Sequence, residues 1–188
     1  LVLGAQYQYF DMTQKDAYTD VAREAAKFNL LDPYATLVFN SDFGLNINAG
    51  ARFNTHSEYG NQIVYNFNPS YSFENLPLKV LASYSTAFIT PSLYQLYGPY
   101  GNLNLTPEEN ATAEFGFESQ LLDKKLTINA VGFYREEENT FGFYYNSATF
   151  ESYYINIDGK YNAKGVETSI RYAVSKRFNI GGNYTFTQ

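Results

Sequence analysis

The sequence predicts an all-β protein, an antiparallel transmembrane β-barrel segment of about nine strands, and three observations support this prediction. Apolar and polar residues alternate strictly along segments such as Leu45 to Asn54, which is the two-residue period of a strand with two different faces. Aromatic residues make up 19% of the 188 residues, and membrane barrels place such residues in girdles at both interfaces. Short and long connections alternate between the predicted strands, as they do in bacterial barrels.

The predicted strands follow one another through the whole chain. Clear alternation predicts strands over residues 45–54, 63–73, 166–174 and 178–186, and weaker alternation predicts strands over 1–10, 34–41, 78–88, 111–119 and 126–135. A further extended stretch over 153–162 is expected to continue into the strand at 166–174. Most of these segments are about ten residues long, the length that a tilted membrane strand needs.

The connections predict which end of the sheet carries the loops. Short connections are predicted at 42–44, 74–77, 122–125 and 175–177, and long ones at 11–33, 55–62, 89–107 and about 136–152. The first long connection contains the segment Tyr18 to Leu31, in which Val21, Ala25, Phe28 and Leu31 are spaced as one helical stripe. A short helix over the barrel mouth and an irregular loop both fit this pattern.

The composition excludes several classes of protein. The chain has no cysteine, which excludes disulfide scaffolds and cysteine-based metal sites. Its net charge is −6 and it has no basic cluster, so a nucleic-acid partner is not expected. There is no apolar run long enough for a transmembrane helix and no signal-peptide pattern, so we expect a mature chain or a fragment.

No group of residues predicts an enzyme, a cofactor or a metal site. His56 is the single histidine, and it lacks the partner spacing of a catalytic triad, so we expect a solvated residue at a strand edge. Acidic residues gather at 136–138 and in the first long connection, where carboxylates are a possible source of oxygen ligands for a divalent cation. Their spacing is not that of a calcium loop, so we expect solvated acidic loops; the connection contributes Asp11, Asp16, Asp20 and Asp32.

Charged residues on the polar side of the predicted strands are expected to face a hydrated lumen or to pair across strands. This predicted lumen set is Arg52, Glu114, Glu118, Arg135, Glu167 and Arg171. Next to it, Gly165 is expected to let its strand bend or form a bulge.

The connection at 89–107 offers the best candidates for ligand contact. Its tyrosines present flat amphipathic surface at low entropic cost, and its asparagines offer donors and acceptors. The candidate ligand contacts are Tyr94, Tyr97, Tyr100, Asn102 and Asn104. The alternative is a rigid external loop that contacts no ligand.

The segment from Ser83 to Glu108 resembles a segment in the barrels of TonB-dependent outer-membrane receptors. The matching residues are Ala87, Phe88, Pro91, Leu96, Tyr97, Gly101, Asn102, Leu105, Pro107 and Glu108, and the run Lys164-Gly165-Val166-Glu167 resembles another recurrent family segment. The pattern of tyrosines over 94–102, with Tyr153-Tyr154 and 162–167, is most similar to the cobalamin-receptor branch. Ferric siderophore and haem receptors share much of it.

This resemblance implies a barrel of about 22 strands with a plugged lumen. Residues 1–188 would form part of that barrel, from its later half, with the plug domain and the TonB box absent. The implied function is active import of a scarce, bulky nutrient, either cobalamin or an iron chelate, across the outer membrane of a Gram-negative bacterium.

The resemblance also implies the partners. They are outer-membrane lipid, the TonB complex acting through the missing plug, the small-molecule ligand and, as a further candidate, a surface lipoprotein. Some of the lumen charges would hold the plug by salt bridges. Two other readings of the sequence are a small, complete structural or adhesive barrel and a passive porin.

Overall fold

The computed structural model describes residues 1–13 and 26–188. Within them the chain forms strands and one short helix, α1, Leu93–Tyr97. The strands are β1 Val2–Met12, β2 Ala26–Asn40, β3 Leu45–His56, β4 Gly60–Ser72, β5 Leu78–Ile89, β6 Glu108–Leu121, β7 Leu126–Glu138, β8 Phe141–Tyr145, β9 Ser152–Asn156, β10 Lys160–Ala173 and β11 Asn179–Thr187.

Nine of these strands form a single antiparallel sheet in chain order, which confirms the predicted fold class. The order is β1-β2-β3-β4-β5-β6-β7-β10-β11, and β8 and β9 form a separate hairpin. Among the described residues β1 pairs only with β2 and β11 only with β10, so the sheet is an open segment of barrel wall. No helix in the described part of the chain is long and apolar enough to cross a membrane.

The sheet has two chemically different faces, because its register places polar residues opposite polar residues and apolar residues opposite apolar ones. Asn46 lies opposite Ser70 and Asn48 opposite Asn68, whereas the intervening Ala49 lies opposite Phe67. We call the side of Asn48 and Asn68 the polar face, and the side of Ala49 and Phe67 the apolar face. A register slip by one residue would exchange the two faces of a strand, so the alternation specifies the pairing.

Four short turns connect strands at one end of the sheet, as the sequence predicts. They cover residues 41–44, 73–77, 122–125 and 174–178, and we call this the turn end. One of these turns requires a glycine at position 44, because the φ of Gly44 is +95° and a Cβ atom there would lie 2.2 Å from the Ser72 carbonyl oxygen. The other end, which we call the loop end, carries residues 57–59, 90–107 and 139–159, and also 13–25, of which only residue 13 is described.

The helix considered over residues 18–31 is wrong where the structure describes it. Residues 26–31 belong to β2, and residues 18–25 lie outside the described part of the chain. The same apolar residues alternate in burial at strand spacing, since Phe28 and Leu30 are buried and Leu31 is exposed. Pairing with β1, in which Phe10 lies opposite Phe28, overrides the helical spacing.

Two further predictions about connections need correction. The connection predicted over 55–62 is only the turn 57–59, because β3 and β4 pair as far as His56 opposite Gly60. The stretch over 153–162 is not continuous, because β9 ends at Asn156 and Gly159 has a φ of +104° before β10 begins. Residues 153–156 therefore belong to a loop hairpin and not to the sheet.

Gly165 forms no bulge, which was one of the two features predicted for it. The register of β10 against β7 runs without a break from Lys160 opposite Glu138 to Tyr172 opposite Leu126. A Cβ atom at Gly165 would lie 2.1 Å from the Phe186 carbonyl oxygen and 2.7 Å from the ring of Phe133. The glycine is thus explained by close packing of a cross-strand aromatic ring and a neighbouring backbone.

Candidate functional site

Residues 90–107, which we call the α1 loop, fold into a compact structure built around one helical turn. Ser92 caps α1, accepting from the backbone N–H of Gln95 at 3.2 Å, and the Gln95 side chain accepts from the Ser92 N–H at 2.9 Å. This reciprocal capping satisfies donors that a short helix otherwise leaves unpaired. Pro91, Leu96 and Leu105 are buried, so the loop has a small core of its own.

The α1 loop covers the polar face of β2 at the loop end. Ala26, Phe28, Leu30 and Asp32 are buried, although the residues between them on the apolar face are exposed. Burial of one face of a strand requires something packed on that face, and α1 contacts β2. We call the covered surface of Phe28, Leu30 and His56 the α1 seat.

His56 lies in this seat, which corrects the expectation that it is solvated. Only 3% of the residue is exposed, and its ring stacks at a tilt on Phe28 at 4.6 Å and on Tyr59 at 5.0 Å. Its Nδ1 atom accepts from the backbone N–H groups of Glu58 at 3.0 Å and Tyr59 at 3.3 Å. His56 therefore stabilises the turn 57–59 by accepting hydrogen bonds from its backbone.

The neighbouring Tyr59 is affected by the same burial. Burial is the largest cause that raises the pKa of Tyr59 to about 12, and the nearby phenol of Tyr97 and carboxylate of Glu58 add to it. Tyr97 belongs to α1 and Tyr59 to the turn after β3. The influence of the Tyr97 phenol on the pKa of Tyr59 means that the α1 loop lies close to this turn.

A buried carboxylate lies deeper under the same loop and is satisfied by protein groups. In the amide orientation that satisfies both partners, Asn54 donates to the two Asp32 oxygens at 3.1 and 3.2 Å. Arg52 lies 4.0 Å from the same carboxylate and 5.6 Å from the centre of the Tyr34 ring. No cluster of ligating side chains that would hold a metal ion occurs in residues 1–13 and 26–188. Of the acidic loop residues considered above, Asp16 and Asp20 lie outside those ranges.

The β8–β9 hairpin is joined to the α1 loop by hydrogen bonds. Asn156 supplies several of them, since its Nδ2 donates to the Thr106 carbonyl at 2.9 Å; the same Nδ2 also donates to the Asn139 carbonyl, beside the hairpin itself, at 2.6 Å. Its Oδ1 accepts from the Thr106 N–H at 2.8 Å. Asn102 donates to the Tyr154 carbonyl at 2.8 Å, and the Tyr154 N–H donates to the Tyr100 carbonyl at 3.0 Å. The two loops therefore form one body.

Aromatic rings cross this junction. Phe143 packs edge-on against Tyr100 with centroids 5.6 Å apart and against Tyr154 with centroids 5.3 Å apart. Tyr144 and Tyr153 form a further pair at 5.0 Å. Edge-to-face packing of this kind adds to the area that the rings bury, so it stabilises the joined loops.

The residues predicted to contact a ligand lie on this joined body but differ in availability. Tyr94, Tyr97 and Tyr100 are 47%, 39% and 47% exposed, and Asn104 is exposed too. The amide of Asn102 is already used, since its Oδ1 accepts from the Asn104 N–H at 2.9 Å. Ligand contact stays a prediction for all five, and the three tyrosines and Asn104 offer free surface for it.

Sequence reasoning missed several residues that shape this site. Ser92 and Gln95 carry the S-x-x-Q pattern of a capping box directly after a proline, and that signal predicts α1. Asn156 and Phe143 carry no local signal, because their importance arises from contacts with residues about 40 to 50 positions away, a separation that strand and turn patterns do not report.

The predicted lumen charges share one face of the sheet. The cross-strand register places Arg52, Glu114, Glu118, Arg135, Glu167 and Arg171 all on the polar face. Arg135 forms an ion pair with Glu137 on that face. The three carboxylates at 136–138 do not converge, because Glu136 and Glu138 point to the other face and pair with Lys160.

The described loops contain no cationic side chain. Residues 90–107 have no charged residue at all, and residues 57–59 and 139–159 contribute only Glu58, Glu151 and Asp158. Aromatic and amide groups thus dominate the surface of these three loops, whereas the sequence of the fourth connection at this end, residues 13–25, contains Lys15 and Arg23. Such a surface suits a neutral, partly apolar ligand, since an anionic one gains its strongest contacts from Arg and Lys.

Comparisons with known proteins agree with this architecture. The family model described as "TonB dependent receptor-like, beta-barrel" matches residues 1–188. Over 129 residues the chain is 39% identical to the Vitamin B12 transporter BtuB of Vibrio cholerae serotype O1, an alignment that covers 68% of this chain and 20% of that protein. The chain thus spans about a fifth of the length of the curated relatives it matches.

Solved structures give the same fold at lower identity. The siderophore receptor PirA from Pseudomonas aeruginosa superposes with a TM-score of 0.82 at 20% identity, covering 99% of this chain and 36% of that chain. The copper transporter OprC superposes with a TM-score of 0.71 at 14% identity, covering 99% of this chain and 35% of that chain. At these identities the likeness concerns the fold.

Proposed function

Because the chain belongs to the TonB-dependent receptor β-barrel family, we propose that it forms part of the wall and external loops of an active outer-membrane importer. The family is one of receptors and transporters and not of enzymes. The nine-stranded meander supplies the wall, with its apolar face toward lipid and its polar face toward the lumen. The joined α1 loop and β8–β9 hairpin would lie on the cell surface.

We propose cobalamin as the ligand, and the observation that carries this proposal is the chemistry of the described loops. They combine exposed tyrosines with asparagines and contain no Lys or Arg. Cobalamin is a large molecule with a flat ring and many amide groups, so aromatic stacking and hydrogen bonding with amides suit it. The 39% identity to a vitamin B12 transporter supports the same choice.

A ferric siderophore or haem receptor is the alternative, because these branches of the family share much of the same sequence pattern. A siderophore receptor superposes over 99% of the chain. An anionic iron chelate would need cationic groups from parts of the receptor other than residues 57–59, 90–107 and 139–159. The alternative therefore makes a different prediction about which segments hold the ligand.

Transport would depend on parts of the receptor outside this chain. A plug domain held by the polar-face charges would close the lumen, and the TonB complex would act on that plug. A surface lipoprotein is a further candidate partner at the loop end. Under this proposal the chain by itself supplies the wall and part of the ligand site.

Uptake by cells that carry the full-length receptor tests the proposal. We expect labelled cobalamin to bind and to enter only when TonB is present, and ferric catecholates and haem to compete weakly. Import of an iron chelate with no cobalamin binding would establish the alternative. Steady conductance that does not need TonB would instead indicate a passive porin. A mature protein of only about 21.4 kDa would indicate a small self-contained barrel.

A further inference from the structure

The hydrogen-bonded pairing of β4 with β5 stops well before either strand ends. It joins residues 70–72 to residues 79–81, leaves out Asn68 and Pro69, resumes at Phe67 opposite Tyr84 and Asn66 opposite Ser85, and no pair follows toward the loop end. The other edges of these strands stay paired throughout, β4 with β3 to Gly60 and β5 with β6 to Ile89. We call the facing segments 60–65 and 86–89 the seam.

A side chain replaces the backbone ladder where the seam begins. The Tyr65 N–H donates to the Oγ1 of Thr86 at 3.1 Å and not to a backbone carbonyl of β5. Elsewhere in the sheet the ladders of β5–β6 and β6–β7 continue from the turn end to the loop end. The seam is thus a local separation of strands, bounded on both sides by intact sheet.

The wall is thin at the seam, because a cavity opens on each side of it. One, of about 190 Å³, is lined on the apolar face by Ile63 and Phe88, and the other, of about 210 Å³, on the polar face by Arg52 and Asn66. Both cavities are also lined by Val64, Tyr65 and Thr86.

The α1 loop connects the two sides of the seam. It leaves β5 after Ile89 and returns to β6 at Glu108, so both its ends lie on one side. Its helix nevertheless packs on β2, which lies on the other side beyond β3 and β4. Phe28 and Leu30 of the seat are buried, and α1 is an element outside the sheet that contacts β2.

We propose that the α1 loop is a strap that limits the separation of β4 and β5 at the seam, and that release of α1 from its seat on β2 widens the lateral opening between these strands. In the membrane this opening would connect the lumen with the outer leaflet. That last statement rests on the proposed function. The mechanical coupling of strap and seam rests on pairing and packing alone.

Amide hydrogen exchange on the full-length receptor in lipid nanodiscs tests the coupling. We expect Phe28→Ala, which empties the seat, to speed exchange of residues 60–65 and 86–89 by about tenfold or more, while the β6–β7 ladder stays protected. Phe133→Ala is the matched control, because Phe133 is also an aromatic residue of the polar face but packs over Gly165. Equal exchange at the seam in both variants would overturn the proposal.

Cysteine pairs test the separation in a protein whose seat is intact. Val64→Cys with Ala87→Cys occupies positions that would face each other if the β4–β5 register continued, and Ser70→Cys with Leu81→Cys occupies a pair that the register contains. A disulfide needs Cβ atoms about 3.5–4.5 Å apart, so we expect fast cross-linking only in the second pair. Equally fast cross-linking of both pairs would show a closed ladder and refute the seam.

Neither measurement involves a ligand or transport. A receptor that imports something other than cobalamin would still give the expected exchange and cross-linking if the strap holds the seam. The failure of the proposed function and the failure of this inference are therefore separable.

Discussion

Two neighbouring hairpins of the sheet, β4–β5 and β6–β7, have strands of similar length but differ in how far their pairing reaches toward the loop end. Both have short turns at the turn end. The β6–β7 ladder continues from Leu121 opposite Leu126 to Glu109 opposite Glu138, whereas the β4–β5 ladder ends at Asn66 opposite Ser85. Strand length alone therefore does not determine how far a barrel wall is closed. Where the β4–β5 ladder stops, the α1 loop, which leaves β5 and packs on β2, connects the two sides of the seam.

The largest expected effect concerns the continuous hairpin. Gly116→Val places a side chain where a Cβ atom would lie 2.4 Å from the Ala130 carbonyl oxygen, so β6 and β7 would have to separate. We expect assembly in the membrane to fail, or the free energy of unfolding to fall by about 3 kcal/mol. Urea unfolding of the refolded barrel, followed by gel mobility, measures this.

Gly132→Val is the matched control on the same hairpin. The nearest atoms to a Cβ at Gly132 lie 3.9 Å away, so the added side chain meets open space on the apolar face. We expect near-normal assembly. Equal loss in both variants would mean that the tight packing of β6 against β7 does not determine stability there.

The next effect concerns the loops above the two hairpins. Asn156→Ala removes hydrogen bonds to Thr106 and Asn139 and leaves their backbone groups without these partners. We expect the β8–β9 hairpin to separate from the α1 loop at a local cost of about 1–3 kcal/mol. Hydrogen exchange of residues 141–156 should accelerate while the β6–β7 ladder is unchanged.

Asn146→Ala is the control for that change. Asn146 accepts from the Ala148 and Thr149 N–H groups within its own turn, and none of its hydrogen bonds reaches the α1 loop. The variant should therefore loosen only the tip of the hairpin. If the two variants expose the α1 loop equally, the joining role of Asn156 is refuted.

A smaller effect is expected for the candidate ligand surface. Tyr97→Ala removes an exposed aromatic ring from the strap, and we expect cobalamin affinity to fall by about tenfold, or ~1.4 kcal/mol. Tyr7→Ala is the control, since Tyr7 is exposed on the apolar face of β1 far from the loop body. Equilibrium binding to both variants compares them, and an equal change would place the ligand elsewhere.

The smallest effect is a pH dependence at the seat. Burial raises the pKa of Tyr59 to about 12 from its ordinary value near 10, so the folded protein favours the neutral phenol. The resulting contribution to stability is complete below pH 10 and is lost as the pH rises toward 12. Absorbance of phenolate near 295 nm should include a late-titrating group that Tyr59→Phe removes; an unchanged titration would contradict this.

The sheet was predictable from sequence because each strand carries its own period. Alternation along 45–54 and 63–73 corresponds to the observed pairing of β3 with β4, and it also predicts which face Arg52 occupies. The family resemblance over 83–108 added the identity of the receptor class, which alternation by itself does not give.

The loops were predictable only in part, since their structure depends on contacts distant in sequence. The exposed tyrosines of the α1 loop follow from composition. The burial of His56 depends on the packing of α1 on β2, two elements about 60 residues apart in the chain, and no local sequence pattern reports such a contact. The helical stripe near Phe28 was misleading because pairing with β1 outweighs a weak propensity.

The hydrogen bonds of Asn156 have a consequence for how the joined loops resist proteases. Proteases cleave segments that unfold locally, at a rate that follows how often they open. By tying the β8–β9 hairpin to the α1 loop, Asn156 makes the opening of either loop depend on the other. A pair of long, exposed, aromatic loops thereby gains resistance to digestion without a disulfide, in a chain that contains no cysteine.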